Sequence, residues 1–132
     1  MSAVWDRPRI RALVFWVYTC LLVIATHIPN DSLPPIDIPW FDKFEHVGAY
    51  GLWTLLLLTS GLLGNGPFGK LAGRALLLGF LLAVTDELFQ MIPALNRVAD
   101  PLDVVADVLG SGGAVCAVWS WRRWRKSPGH GD

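Results

Sequence analysis

Residues 12–28 contain no aspartate, glutamate, lysine or arginine, and three further blocks, 47–63, 75–92 and 102–121, come close to the same condition. An α-helix rises about 1.5 Å per residue, so spanning a hydrocarbon core of roughly 30 Å takes about 20 mostly apolar residues, with about 17–25 tolerated. Each block meets that length. A soluble four-helix bundle would need a polar stripe along every helix. Residues 52–58 and 76–84 offer none. The chain has 132 residues, enough for one domain. It is 53% hydrophobic, against roughly 45–50% for an average soluble domain. The expected fold is all-α: a single-domain membrane protein with four transmembrane helices in a compact bundle.

The punctuation agrees with that division. Gly64-Asn65-Gly66-Pro67 marks a turn after the second block. Asp100-Pro101 opens the fourth, with an aspartate able to cap and a proline at the first helical position. Arg7, Arg9 and Arg11 precede the first block and give it the look of a signal peptide. The sequence Ala25-Thr26-His27-Ile28-Pro29 that follows has no small-x-small cleavage motif, so the block is read as a retained span.

Net charge is zero, from eleven basic and eleven acidic residues, which gives no sign of nucleic-acid binding. The placement of the charges is more informative than their sum. Nine of the eleven basic residues flank the blocks on one side: Arg7, Arg9 and Arg11, then Lys70 and Arg74, then Arg122, Arg123, Arg125 and Lys126. Lys43 and Arg97 are on the other. Basic residues in short loops stay in the cytoplasm, which predicts cytoplasmic N and C termini. Trp5, Trp119, Trp121 and Trp124 then fall at the inner interface, and Trp40 with Phe41 at the outer one. The basic tail reads as a topology anchor that touches anionic lipid. The acids show the reverse pattern. Asp31, Asp37, Asp42, Glu45, Asp86, Glu87, Asp100, Asp103 and Asp107 are all outer, leaving only Asp6 and Asp132 inside.

Helical spacing gathers these acids into faces. Asp42, His46 and Tyr50 recur every four residues, and Asp86 and Gln90 stand one turn apart with Glu87 about 100° round. Asp100, Asp103 and Asp107, at spacings of three and four, continue into Gly110, Ala114 and Ala117, small residues that let helices approach closely. Asp86 lies seven residues before Pro93, roughly 10 Å below the outer end at about 1.5 Å per residue. A central aspartate costs about 2.5–3.5 kcal/mol on insertion scales, so it should face the bundle interior, a partner or water.

The combination Asp42-Lys43-x-x-His46-x-x-x-Tyr50, Asp86-Glu87-x-x-Gln90, Arg97, Asp103-x-x-x-Asp107 and Gly110 resembles the VanZ-like family over residues 42–114. The resemblance implies a small multi-pass protein of the bacterial cytoplasmic (inner) membrane and the cell envelope. The founding member is linked to resistance to the glycopeptide teicoplanin. The chain departs from the commoner pattern at Phe89, where a histidine often precedes the glutamine. It also has Pro93-Ala94-Leu95-Asn96-Arg97 in place of a tight Pro-Gly-Arg turn.

Four chemistries fit these residues. Carboxylates with Gln90, Tyr50, Arg97 and Lys43 suit sugar hydroxyls and phosphate, as in a lipid head group or a lipid-linked cell-wall precursor. His46 beside Asp86 and Glu87 could serve acid–base catalysis on a lipid-linked substrate, since neighbouring carboxylates have split pKa values. His46, Asp86, Glu87, Asp103 and Asp107 could hold a hard divalent cation, although no zinc-type spacing is present and no cofactor is expected. The fourth is structural: Lys43 and Arg97 pair with Asp86, Glu87 and Asp103 to lock short helices together. The leading expectation is a ligand site made of Asp42, Lys43, His46, Tyr50, Asp86, Glu87, Gln90, Arg97, Asp103 and Asp107. Membrane lipid is its natural neighbour, and oligomeric state is left open. Cys20 and Cys116 read as inert packing residues, His27 and His130 as interfacial and tail residues, and Trp16 and Trp53 as lipid-facing or packing aromatics.

Overall fold

A computed structural model describes residues 7–29, 32, 38–95 and 97–126. Trp5, Asp6, Asp31, Asp37, His130 and Asp132, assigned above to interface, loop and tail positions, lie outside the described residues. The elements are α1 (Pro8–Thr26), α2 (Phe41–Ser60), α3 (Phe68–Gln90), a 3-10 turn (Pro93–Leu95) and α4 (Pro101–Trp124), with no strand among the described residues. Three of them, α1, α3 and α4, are long and apolar enough to cross a membrane. The remaining helix, α2, has 20 residues and carries Asp42, Lys43 and Glu45 at its start.

Every helix begins ahead of its apolar block. Apolarity marks where side chains leave water, whereas the helical hydrogen-bond ladder continues through polar turns. Pro8 and Pro101 supply the fixed φ of a first helical turn, and Asp100 caps α4 by accepting from the Leu102 N–H at 2.9 Å. The lead is seven residues at α3 and six at α2, where the helical spacing of Asp42, His46 and Tyr50 already places the polar run on the helix. The other end of α2 also differs. The helix stops at Ser60 because Gly61 takes φ 86°, a left-handed cap open to glycine. Lys70 and Arg74, placed between spans by the sequence, are in the first two turns of α3, where Arg74 Nη1 donates to the Leu63 carbonyl at 3.0 Å. Asp86 lies four residues before the end of α3 at Gln90, about 6 Å at 1.5 Å per residue.

The packing is inside-out by the standard of a soluble protein. Fully buried positions include Thr54, Ser60, Asp107 and Ser111, while Leu13, Leu21, Leu77, Leu88, Phe44 and Leu109 are exposed. A water-soluble surface rarely carries so continuous an apolar face. The interior is held by small residues and paired polar groups. Thr54 donates to Ser111 at 2.9 Å between α2 and α4. Trp53, buried against Phe15, donates its indole N–H to Thr19 at 3.0 Å, and Tyr18 donates to the Ala49 carbonyl at 3.0 Å. Trp53 is thus a packing residue, and Trp16 is exposed. Cys20 and Cys116 are free thiols on exposed faces rather than packed inside.

The most extensive helix contact is α2 on α4. Gly110 makes it so close that a Cβ there would fall 2.2 Å from the Val47 carbonyl oxygen and 3.0 Å from the Gly51 nitrogen. Two backbones touch. The small-residue face foreseen on α4 narrows to this one crossing, since Gly110 is buried but Ala117 is exposed.

Candidate functional site

Alternating helix direction brings the end of α1, the start of α2, the end of α3 and the start of α4 to one end of the bundle. Close packing at Gly110 sets α2 beside α4 there, and three polar assemblies follow.

The first centres on Lys43. Its ammonium lies 2.9 Å from Asp42, 2.6 Å from Asp100 and 2.5 Å from Asp103. An ammonium has three protons to donate, and here three carboxylates surround it. Lys43 also holds the Asp100 carboxyl, just outside α4, below the usual carboxylate range. The second is His46, whose Nδ1 donates to Asp107 at 2.9 Å while Nε2 lies 3.6 Å from Asp103. One imidazole is therefore flanked by two carboxylates of α4, spaced one helical turn apart.

The third lies on α3. Asp86 accepts from the Thr26 hydroxyl at 2.7 Å, lies 3.6 Å from His27 Nδ1, and has Gln90 Nε2 at 3.4 Å. His27 Nδ1 is itself 2.8 Å from the Val23 carbonyl, which takes its proton. Glu87 is 93% buried by its 7% exposure, and only one of its oxygens is used: Oε2 accepts from the Asp100 backbone N–H at 2.8 Å. The other, Oε1, is buried without a hydrogen-bond partner among the described residues. It belongs to a carboxyl within electrostatic reach of Asp103, His46 and Asp86.

Of the ten residues proposed from sequence, Lys43, His46, Asp86, Glu87, Gln90, Asp103 and Asp107 join this network. Asp42 is at its exposed rim. Tyr50 is fully buried beneath it as part of the hydrophobic core, within electrostatic reach of Asp107, Asp86 and Glu87. Arg97 meets none of these acids through Nε, which donates to the Ile28 carbonyl at 2.9 Å and ties the α3–α4 connection to the end of α1. The structural pairing foreseen for the two outer cations thus holds for Lys43 with Asp103 but differs for Arg97.

Three residues of the network lie outside the ligand set proposed from sequence. Asp100 was read as a cap and as part of the acidic face of the fourth span, and Thr26 and His27 as the end of the first span. The only available signal was that polar Thr26-His27 ends an otherwise apolar block on the side where the acids gather. Among the described residues, no group of three or more His, Cys, Asp or Glu side chains is arranged to hold a metal ion. The position between Asp42, Asp100 and Asp103 that a cation would take is filled by Lys43.

The assembly has many acceptors and few donors. Asp42, Asp86, Glu87, Asp100, Asp103 and Asp107 face one ammonium and two imidazoles, with Thr26 and Gln90 adding neutral donors. A buried acceptor left unpaired costs about 1–3 kcal/mol, more when charged. Such a site therefore favours an incoming donor. No protein-family model, curated protein or solved structure matches this chain.

Proposed function

We propose that this is a four-span protein of a bacterial cytoplasmic membrane, with cytoplasmic termini, whose acidic end faces the outer leaflet and binds a polar, hydrogen-bond-donating ligand. The sugar or amine part of a lipid-linked envelope component has that chemistry. The observation that carries the reading is Glu87 Oε1, a buried acceptor without a partner among the described residues, at the centre of a carboxylate-rich network. Support for location comes from three helices apolar enough to cross a membrane, from basic residues concentrated at the opposite end, and from the resemblance to the VanZ-like family.

Within this reading the network divides its labour. Lys43, saturated by three carboxylates, locks α2 to the start of α4 and has no proton left for a phosphate. The Asp86–Glu87 side, supported by Thr26 and Gln90, receives the ligand. Sugar hydroxyls suit it better than phosphate, because negative charge would meet negative charge. The test is to purify the protein from its native membrane in a mild detergent and compare wild type with Glu87→Gln and Asp107→Asn. The reading expects a co-purified glycan or amine-bearing lipid on wild type that is lost from Glu87→Gln. Unchanged ligand content and phenotype in both variants would end the site hypothesis.

A second reading is enzymatic, and the His46 geometry favours it: an imidazole oriented by Asp107 is how a general base is positioned. In that case His46→Gln keeps the co-purified ligand but abolishes its turnover in reconstituted membranes. A pure binding site shows no turnover in wild type or variant.

A further inference from the structure

The end of the bundle opposite the acids carries a second site. The start of α1, the end of α2, the α2–α3 turn and the last turns of α4 enclose a cleft of about 740 Å³. Its mouth bears Arg11, Arg122 and Asn65, and its wall is made of Leu55, Leu58 and Val118. Among the described residues that line it, none is acidic.

Two features give this cleft a ligand chemistry. Arg11 Nε is buried yet has no hydrogen-bond partner among the described residues, so an N–H of a permanent cation is withdrawn from water and left unused there. The Arg122 guanidinium is seated 4.8 Å over the Phe68 ring, which fixes its plane beside the start of α3. Guanidinium groups recognise phosphate through paired N–H donors, and an apolar wall below them suits an acyl chain. Basic pockets between membrane helices bind anionic head groups in this way.

We propose that this cleft binds a membrane phospholipid with an anionic phosphodiester head group, the phosphate held by Arg11 and Arg122 and an acyl chain lying against Leu55 and Leu58. The site is separate from the acidic end and needs no ligand there. It differs from general attraction of a basic surface to anionic lipid, because it places two particular guanidinium groups on one open cleft with an apolar wall.

The test uses delipidated full-length protein in a neutral detergent, titrated with phosphatidylglycerol and, separately, with phosphatidylcholine of the same chains, adducts being counted by native mass spectrometry. Wild type is expected to favour phosphatidylglycerol by about tenfold or more, consistent with two basic contacts near a membrane surface. Arg11→Gln with Arg122→Gln removes that preference. Arg9→Gln with Lys70→Gln removes the same charge from exposed positions outside the cleft and should retain it. Leu58→Trp keeps both arginines but fills the cleft, and should also lose the lipid. Equal loss in the cleft and control pairs would overturn the proposal, as would equal binding of the two lipids to wild type. Displacement of phosphatidylglycerol by excess inorganic phosphate alone would assign the cleft to a soluble anion instead and overturn the lipid assignment.

Discussion

The two ends of the bundle handle charge in opposite ways. At the acidic end nearly every ionic group is already paired inside the protein: Lys43 with three carboxylates, His46 with Asp107, Asp86 with Thr26. At the basic end the cations face outward, resting on aromatic rings: Arg123 on Trp119 at 4.7 Å, Arg125 on Trp121 at 5.9 Å. Buried charges need partners because water is gone, whereas charges at a membrane surface keep water and lipid phosphate nearby. The acidic end should therefore be fragile to the loss of one member, and the basic end tolerant. The two exceptions, Glu87 Oε1 and Arg11 Nε, are buried groups without partners among the described residues, one at each end. They are where ligands are expected.

The largest effect should come from breaking the lock. Lys43→Met leaves Asp103, the one shielded carboxylate of the three, without its charged partner and should destabilise the protein by about 1.5–3 kcal/mol, as loss of a hydrogen bond to a charged group does. The matching change at the basic end, Arg122→Met, should cost about 0.5 kcal/mol or less. Reversible unfolding in mixed micelles measures both, and equal losses would break the contrast. Next comes the crossing that assembles the acidic end. Gly110→Ala places a methyl group where the Val47 carbonyl already is and should cost about 1–3 kcal/mol, while Gly113→Ala on the same helix, with open space around it, should be nearly neutral.

A smaller effect sharpens the comparison within the acidic end. Glu87→Gln keeps size and hydrogen-bonding reach, so its stability should change by about 1 kcal/mol or less although ligand is lost. The smallest effect concerns Asp100. Its folded carboxyl sits below the ordinary value, so it stabilises the fold above an unfolded pKa of about 3.9 and loses that contribution as pH falls through the lowered folded value. Asparagine also caps helices, so Asp100→Asn isolates the charge. The difference in melting temperature between wild type and this variant should be greatest at neutral pH and close as pH falls below about 4. A difference that persists in acid would mean that the cap, and not Lys43, accounts for it.

The sequence revealed the helices better than their junctions. Apolar length and charge-free blocks made four helices legible, and Asp100-Pro101 marked one start to the residue. Hydropathy set the second block at residue 47, because it registers solvent preference and not backbone hydrogen bonding, whereas the helical spacing of Asp42, His46 and Tyr50 already carried α2 back to Asp42. Helical spacing put Asp103, Asp107 and Gly110 on one face correctly, yet could not supply their partners. Lys43 meets Asp103 across sixty residues, and Thr26 meets Asp86 across the same distance in sequence. Such pairings depend on which helix ends adjoin, and a periodic pattern carries no information about that. Gly110 was recognisable as a small packing residue, but the Gly51 opposite it, inside an apolar run, gave no comparable signal. Tyr50 shares the face of His46 as its spacing implies, but periodicity carries no depth, and one turn below His46 that face is fully buried.

Native mass spectrometry of protein purified from its own membrane tests the assignment of the acidic end most directly. An intact donor-rich adduct on wild type, at least about tenfold depleted on Glu87→Gln while that variant melts normally, is the outcome anticipated from a buried acceptor awaiting a partner. A bare wild-type protein, or one whose adducts are indifferent to the amide, would contradict it.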